Sequence, residues 1–326
     1  MRYLIIFIVL LCCFIIYQFI AKRFSIVDNP NNRSSHSYQA IRGGGVVFPV
    51  AALLWFLFFG YNYVLGITAL IFISVISFLD DLYGMSRMIR VIVQLISVIL
   101  LFIQFSLFEF HWVIWTTALI VMIGWINAFN FMDGINGMTP FYSLVSLGTF
   151  FMLSTGVYFV PADFMIVISM SILIFSWFNV RKRARAFAGD VGSISMAFIL
   201  GGIMLYLIIK TGRPEYIMFF AVYAADSIFT IIHRLIRREN IFKAHRSHLY
   251  QYLSNELDIP HVTVSIIYSS LQFIINVFTI WAIGRGIMNM GTFFLITIII
   301  SIIYLSVRFR VLKIADRRIQ AHKNRD

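Results

Sequence analysis

The sequence is poor in charge. Only 12% of its 326 residues are Asp, Glu, Lys or Arg, whereas 60% are hydrophobic. Soluble proteins carry about 25% charged residues, so this composition argues strongly against a soluble globular fold. No Pro-, Gly- or Ser-rich hinge and no internal repeat divides the chain, which has only six prolines. We therefore predict one polytopic membrane domain over residues 1–326.

Cysteine is almost absent as well. The two cysteines, Cys12 and Cys13, are adjacent in the first apolar run, which excludes a disulfide framework and a Cys-based metal site. That run is long for a signal peptide and has no small-x-small cleavage site before Lys22. A lipoprotein signal is also disfavoured, because Leu11 precedes Cys12. We interpret the run as a transmembrane helix.

The hydrophobic residues form eleven runs of roughly 16 to 23 residues, the length that crosses about 30 Å of hydrocarbon as a helix. The sequence thus predicts an all-α membrane protein with about 11 transmembrane helices. The predicted spans are 3–21, 43–59, 61–79, 90–107, 112–127, 139–155, 161–180, 194–209, 216–236, 262–283 and 289–308.

The positive charges indicate the orientation. With eleven spans, 22 of the 26 Lys and Arg residues lie on one side or at its helix ends. The positive-inside rule places that side in the cytoplasm, with the N-terminus outside and the C-terminus inside. The net charge of +12 is then mainly a topology signal, and attraction of an anionic lipid or nucleotide is its second interpretation.

The polar residues also gather on this side. The stretch 127–138, NAFNFMDGINGM, lies between two apolar runs and offers Asn130 and Asp133 to a ligand, or forms a simple Asx turn. Asp80 and Asp81 end the third span, where they oppose the helix dipole and repel each other. Such a pair suits a divalent cation, or one metal ligand and one base; the alternative is a plain polar helix end.

Three further segments have competing interpretations. Asp190, between two glycines, is either a helix N-cap or part of a phosphate or metal site. The run Gly43-Gly44-Gly45 either exposes N–H groups to a phosphate or allows tight helix packing. His245 and His248 lie on one side of a predicted helix with Arg246 nearby, which favours phosphate binding or a basic membrane-anchoring loop over zinc.

One acid lies inside a span. Asp226 is either a functional intramembrane residue or one half of a structural ion pair with an Arg of the bundle. The polar segments together favour metal-assisted phosphate chemistry on a lipid substrate at the inner face.

In their order, these motifs resemble those of the polyprenyl-phosphate N-acetylhexosamine-1-phosphate transferases, members of glycosyltransferase family 4. The motifs are Asp80-Asp81, the segments 127–134 and 187–193, and His245-Arg-Ser-His248, and the resemblance runs from about residue 33 to 251. It implies transfer of a sugar 1-phosphate from a UDP-N-acetylhexosamine to undecaprenyl phosphate, with release of UMP and with Mg²⁺ or Mn²⁺ as cofactor. The implied place is a bacterial cytoplasmic (inner) membrane with the site facing the cytoplasm.

The resemblance also implies residue roles. Asp190 resembles the metal ligand, and Asp80 and Asp81 the pair that positions or deprotonates the lipid phosphate. Asn130, Asp133 and Phe187 resemble nucleotide-site residues, with Phe187 stacking on uracil. The remaining predicted site residues are His245 and His248 as catalytic residues near the pyrophosphate, and Arg246, Gly43 and Gly44 as substrate contacts.

The chain departs from the muramoyl-pentapeptide enzyme at several motifs. Its His motif is not a triplet, Asn136 stands where many members have Asp, and the basic segment 179–187 has no proline. These differences place it nearer the members that initiate O-antigen, lipopolysaccharide or capsule synthesis. Direct in-line attack is favoured over a covalent aspartyl intermediate.

Three further expectations complete the prediction. The partners are membrane lipid and a second copy of the chain in a homodimer, with no nucleic acid. A transporter or flippase of lipid-linked glycan is the alternative function. A non-catalytic scaffold is the third.

Overall fold

Helices make up most of the chain. The computed structural model describes residues 1–30, 35, 38–240 and 246–323. In these ranges the only paired strands form an antiparallel ribbon of β1 (Val27–Asp28) and β2 (Ala40–Ile41). The helices are α1 (Arg2–Arg23), α2 (Val47–Phe59), α3 (Val64–Tyr83), α4 (Arg87–Gln104), α5 (Trp112–Met132), α6 (Met138–Ser154), α7 (Ala162–Asn179), α8 (Gly189–Thr211), α9 (Ala221–Ile236), α10 (Leu249–Gln251), α11 (His261–Gly284) and α12 (Met290–Lys323).

The helices confirm the predicted all-α membrane class. Within the described residues, nine helical segments are long and apolar enough to cross a bilayer. Two shorter apolar segments, Gly44–Phe59 and Met138–Ser154, match the second and sixth predicted spans. Each predicted span therefore corresponds to an apolar helical segment. The number that crosses the membrane and the orientation stay predictions.

Helix α8 forms the centre of the bundle. Of its 23 residues 16 are buried, and it packs against α2, α3, α5 and α6. Small residues allow this close approach, since glycine and serine let helix backbones come together in a membrane. Gly201 lies against Trp125 of α5, whose indole Nε1 donates to the carbonyl of Ala197 at 2.9 Å. By contrast, α12 lies at the periphery, with an apolar surface suited to lipid.

The chain between α8 and α9 includes a 3₁₀ segment, Pro214–Phe220. Where this segment joins α9, backbone groups need partners from other helices, because lipid offers none. Gln272 of α11 is such a partner. Its Nε2 donates to the carbonyl of Met218 at 2.9 Å, and its Oε1 accepts from the N–H of Val222 at 2.9 Å.

Three helices extend at least five residues beyond their predicted spans. Helix α5 continues to Met132 because the Asn127 amide is satisfied within the bundle, donating to Gln94 at 2.9 Å and to the Ile123 carbonyl at 2.8 Å. The polar break is therefore shorter than 127–138. Helix α8 begins at Gly189 instead of 194. Helix α12 extends 15 residues beyond the predicted 308.

Candidate active site

Asp81 joins three separate parts of the chain. Its Oδ1 accepts from Arg42 Nε at 2.7 Å and from the Asp190 N–H at 3.0 Å, while Oδ2 accepts from the Val191 N–H at 3.0 Å. The carboxylate thus caps the N-terminus of α8, where the helix dipole favours negative charge. This explains why an acid at the C-terminal end of α3 is stable and why α8 begins early. The side chain of Asp81 is fully buried.

Asp80 faces a different group. Its Oδ1 accepts from the Met85 N–H at 2.5 Å, and its Oδ2 lies 3.2 Å from Arg90 of α4. The same Arg90 NH1 lies 3.9 Å from the Asp190 carboxylate. One half-exposed guanidinium therefore stands between two carboxylates, and the adjacent acids Asp80 and Asp81 have separate partners.

Asp190 is in the first turn of α8 and not at its N-cap, which is Ala188. The N-cap interpretation of the sequence was therefore wrong, because the cap is supplied from α3 by Asp81. This leaves the Asp190 carboxylate, 21% exposed, free of a capping role.

The end of α5 contributes Asn130 and Asp133. Asn130 Oδ1 accepts from Ser193 Oγ of α8 at 2.7 Å, and Asp133 Oδ1 accepts from Thr139 Oγ1. Burial raises the pKa of Asp133 to about 7; the nearby acids of α3 and α8 add to the shift, and the bond from Thr139 opposes it. The carboxyl of Asp133 is therefore partly protonated near neutral pH.

The segment before α8 is fixed on both sides. Phe187 N–H donates to the Ile41 carbonyl at 2.8 Å, and its own carbonyl accepts from the Gly44 N–H at 2.8 Å. Asn179 donates to the Ala186 carbonyl at 3.0 Å and accepts from the Gly137 N–H at 2.8 Å. The Phe187 ring, half-buried, is therefore presented from a rigid backbone.

The glycine run is a packing device. The N–H groups of Gly44 and Gly45 donate to the carbonyls of Phe187 and Ala188. A Cβ on Gly45 would lie 2.2 Å from Gly192 Cα, so backbone contact with α8 requires glycine at this position. Gly43 and Gly44 are both buried and neither lines the cavity described next, so their binding of substrate stays a prediction.

These segments enclose a polar cavity of about 250 Å³ at one end of the bundle. Its walls combine acids, amides, one arginine, one aromatic ring and one histidine, from connections far apart in sequence. The polar and aromatic lining residues are Asp28, Ser35, Arg42, Asn130, Asp133, Asn136, Asn179, Phe187, Asp190, Gln251 and His261. The structure therefore brings together the predicted site residues Asn130, Asp133, Phe187 and Asp190.

The described part of the His motif, residues 246–248, does not line this cavity. His248 is buried, with Nδ1 3.2 Å from Asp226, and is the N-cap of α10, so no continuous helix runs through the motif as predicted. Arg246 lies 3.7 Å from Glu256. Neither is among the described residues that line the cavity, and His245 lies outside the described residues. Their catalytic and substrate-binding roles stay predictions.

Sequence reasoning missed three residues at this end of the bundle. In the sequence, Arg90 differs in no way from the other positive charges on its side of the membrane, although it follows Asp80 within the same connection. Gln251 stands just after the His motif, and a lone histidine such as His261 at the start of an apolar run carries little signal. Gln251 and His261 line the cavity.

Three carboxylates line the cavity, those of Asp28, Asp133 and Asp190. In the described ranges no group of three or more His, Cys, Asp or Glu side chains is placed to hold a metal ion. However, Mg²⁺ is often bound by one or two carboxylates, with phosphates and water completing its shell, and Asp190 fits that type of site. Asp80 does not line the cavity, and its oxygens already contact the Met85 N–H and Arg90.

The geometry can be compared with known proteins. A family model described as glycosyl transferase family 4 matches residues 63–208. A Bacillus subtilis (strain 168) protein, named probable undecaprenyl-phosphate N-acetylglucosaminyl 1-phosphate transferase, is 25% identical over 86% of this chain and 87% of its own length. Almost half of the chain is therefore similar to glycosyl transferase family 4, and the Bacillus relative extends the similarity to most of its length. The family match contains the site residues of α3, α4, α5 and α8.

Two other relatives are named for a different activity from that of the Bacillus protein. The phospho-N-acetylmuramoyl-pentapeptide-transferases of Thermotoga neapolitana and Thermotoga maritima are each 31% identical. The alignments cover 43% and 35% of this chain, and 46% and 36% of those relatives. The family resemblance drawn from the motifs is thus confirmed, and the chain is an integral membrane enzyme of the phosphoglycosyltransferase type.

Proposed function

We propose that this enzyme transfers an N-acetylhexosamine 1-phosphate from a UDP-sugar to undecaprenyl phosphate, releasing UMP. The reaction would initiate O-antigen or another cell-envelope polysaccharide, at the cytoplasmic face of a bacterial inner membrane. The observation that carries the proposal is the single cavity in which Arg42, Asn130, Asp133, Phe187 and Asp190 meet. The name of the Bacillus relative supports both the acceptor and the sugar class.

The residues suggest a division of roles. Phe187 would stack on uracil, which every aromatic ring can do through its π-face. Asn130 and Asp133 line the same cavity and would bind the nucleotide. Arg42, whose pKa is raised above its usual value because Asp81 and other carboxylates outweigh the lowering effect of burial, stays charged and would face a phosphate.

The transfer needs little proton chemistry. A phosphate monoester has its second pKa near 6, so the lipid phosphate is already mostly ionised. Its oxygen would attack the β-phosphorus of the UDP-sugar, forming a new P–O–P link while the bond between that phosphorus and the bridging oxygen breaks and UMP leaves. The main barrier is the approach of two anions, which fixed cationic donors such as Arg42 lower.

The surroundings of the acids favour direct attack. Both oxygens of Asp81 accept hydrogen bonds and its side chain is fully buried, so it is unsuited to be a nucleophile. Asp80 is 5% exposed and is also bonded through both oxygens. Asp190, which lines the cavity, would hold Mg²⁺ (or Mn²⁺), which would supply positive charge to the phosphates when bound.

Polar groups in the bundle interior also favour an enzyme over a transporter. Tyr142, Gln272, Asn276 and Thr149 form one hydrogen-bonded chain between α6 and α11, with distances of 2.7–2.9 Å. These side chains satisfy one another and the nearby backbone, as structural groups in a membrane must. They therefore give no support to a path for transported substrate.

The test is UMP release by the purified protein in detergent with undecaprenyl phosphate, Mg²⁺ and a panel of UDP-N-acetylhexosamines. We expect release with at least one donor, and its loss when EDTA is added or the lipid is omitted. Asp190→Asn should reduce kcat by more than about 100-fold, the order that one well-placed electrostatic group contributes. Asp258→Asn, which alters an exposed carboxylate paired with Arg318, is the matched control.

Two results would contradict the proposal. Full activity of Asp190→Asn with metal still required would remove Asp190 as the ligand. Release of UMP without the lipid would show hydrolysis in place of transfer.

A further inference from the structure

Asp226 is a buried carboxylate that the proposed reaction does not use. It lies within α9, away from the cavity, and its side chain is fully buried. Its two oxygens nevertheless accept more hydrogen bonds than any other side chain near the site. The donors are Leu249 N at 3.0 Å, Tyr250 N at 3.4 Å, Tyr268 OH at 2.6 Å, Tyr304 OH at 3.1 Å, Thr230 Oγ1 at 3.3 Å and His248 Nδ1 at 3.2 Å.

Arg308 supplies the counter-charge from α12. Its NH1 lies 4.0 Å from Asp226 and donates to Thr230 Oγ1 and Tyr304 OH, both at 2.9 Å. Its NH2 donates to the carbonyl of Ser247 at 2.9 Å. Arg308 therefore touches the His-motif segment directly, although it follows that segment by some 60 residues. We call Asp226, Arg308, Tyr268 and Tyr304 the anchor cluster.

Bundle stability alone does not account for this cluster. Replacing a buried ion pair with well-packed apolar residues is often neutral or stabilising, so such a pair is weak evidence for stability. Asp226 instead orients a neighbouring backbone segment. It accepts from two consecutive backbone N–H groups, those of Leu249 and Tyr250, and so fixes the turn that begins α10.

That turn reaches the candidate site through two side chains. Tyr250 OH donates to the Phe131 carbonyl at 2.8 Å, in the last turn of α5 between Asn130 and Asp133. The same hydroxyl lies so close to Gly134 that a Cβ there would be 2.1 Å away. The next residue, Gln251, lines the cavity itself. A chain of contacts thus runs from α12 through Asp226 to the residues around the cavity.

We propose that Asp226, with Arg308 as its counter-charge, is a positioning residue that fixes the 248–251 turn against the end of α5 and so sets the geometry of the candidate active site. The effect on catalysis rests on the function proposed above. In this account His248 contacts Asp226 of the anchor cluster and makes no contact with substrate.

The test uses Asp226→Asn, Arg308→Lys and Tyr268→Phe, with Tyr142→Phe as the matched control. Tyr268→Phe and Tyr142→Phe each remove one buried hydroxyl that donates to a side chain, at 2.6 and 2.8 Å, but only Tyr268 belongs to the anchor cluster. If Asp226→Asn fails to fold, the two milder variants still decide the question.

The first readout is kinetic. A misplacement of about 1 Å can cost about 100-fold in rate, so we expect a kcat loss of that order for Asp226→Asn. Tyr268→Phe and Arg308→Lys should lose about 10-fold on the same grounds, with smaller changes in KM for the UDP-sugar. Tyr142→Phe should keep kcat within about twofold of the wild-type value, and its melting temperature should be similar to that of Tyr268→Phe. Equal losses in the two Tyr→Phe variants, or unchanged kcat in folded Asp226→Asn, would overturn the proposal.

The second readout needs no substrate. Diethyl pyrocarbonate modifies accessible histidines, and mass spectrometry gives separate rates for His248 and His261. We expect slow modification of His248 in wild type and in Tyr142→Phe, and at least about tenfold faster modification in Asp226→Asn and Tyr268→Phe. His261, which is already half-exposed, serves as the internal reference.

The two readouts separate the two proposals. An inactive wild type with the expected His248 pattern would refute the proposed function and leave the anchoring of the turn supported. Equal His248 rates in all folded variants would refute the anchoring whatever the activity.

Discussion

Asp80 and Asp81 are adjacent and chemically identical, yet the structure predicts losses of stability of very different size when each is changed to Asn. Asp81 accepts three hydrogen bonds, from Arg42 and from two N–H groups of α8, and is fully buried. Asparagine keeps one acceptor oxygen but places an NH₂ group against an N–H donor. One donor therefore loses its partner, and the remaining bonds lose the carboxylate charge.

The magnitude follows from these contacts. An unsatisfied buried donor costs about 1–3 kcal/mol, and a charge-assisted bond is roughly twice as strong as a neutral one, so Asp81→Asn should lose about 2–4 kcal/mol. For Asp80→Asn, the Met85 N–H keeps an acceptor and only the contact with Arg90 weakens. Because Arg90 is 37% exposed, that contact is worth about 0–1 kcal/mol.

The assay is thermal unfolding in detergent, followed by the fluorescence of the six tryptophans, with EDTA present so that bound metal does not contribute. At about 2 °C per kcal/mol for a chain of this size, Asp81→Asn should lower the midpoint by roughly 4–8 °C and Asp80→Asn by no more than about 2 °C. Midpoints within 1 °C of each other, or the reverse order, would refute the assignment of Asp81 as the cap of α8.

Three other changes test separate parts of the structure. Gly45→Ala should abolish accumulation of folded protein, because its Cβ would lie 2.2 Å from Gly192 Cα; size-exclusion chromatography in detergent measures this. The pKa of Asp133 is raised to about 7, so ionising this carboxyl should lower the stability of the fold as pH rises from about 4 to 7, with no further loss above that. Asp133→Asn should remove this pH dependence from the melting temperature. Asn136→Asp should replace a donor to the Arg181 carbonyl, at 2.8 Å, with an acceptor and so expose the basic segment to trypsin.

Each of these has a contrary outcome. Gly148 has no heavy atom within 4 Å of a built Cβ, so Gly148→Ala should fold normally; equal behaviour of the two glycine variants would argue against the close helix contact. Parallel pH curves for wild type and Asp133→Asn would place the raised pKa elsewhere. Unchanged trypsin cleavage in Asn136→Asp would remove Asn136 as the residue that holds the segment.

The helical class could be predicted because the length of each apolar run can be read directly from the sequence and compared with the thickness of a bilayer. The helix ends could not, because they depend on partners that are distant in sequence. Helix α8 begins at Gly189 only because Asp81, more than 100 residues earlier, accepts from its first N–H groups. Likewise, α5 continues through Asn127 because Gln94 of α4 accepts from its amide.

The sequence predicts which segments form the candidate site better than it predicts the role of each residue. The motifs around Asp80, Asn130 and Asp190 do converge at one end of the bundle. Their division of labour was hidden, because adjacent acids have different partners and glycine N–H groups that look available are bonded to another loop. His248 shows the same limit, since its interaction with Asp226 spans 22 residues and two helices.

The central claim is that the enzyme transfers a sugar together with one phosphate. We would measure the fate of the label after incubation with undecaprenyl phosphate and a UDP-N-acetylhexosamine carrying ³²P in its β-phosphate. The account predicts that the label moves into the organic-extractable lipid as unlabelled UMP is released, and that Asp190→Asn prevents both. Label that stays in UDP while the sugar reaches the lipid would contradict the account, because the enzyme would then transfer the sugar alone.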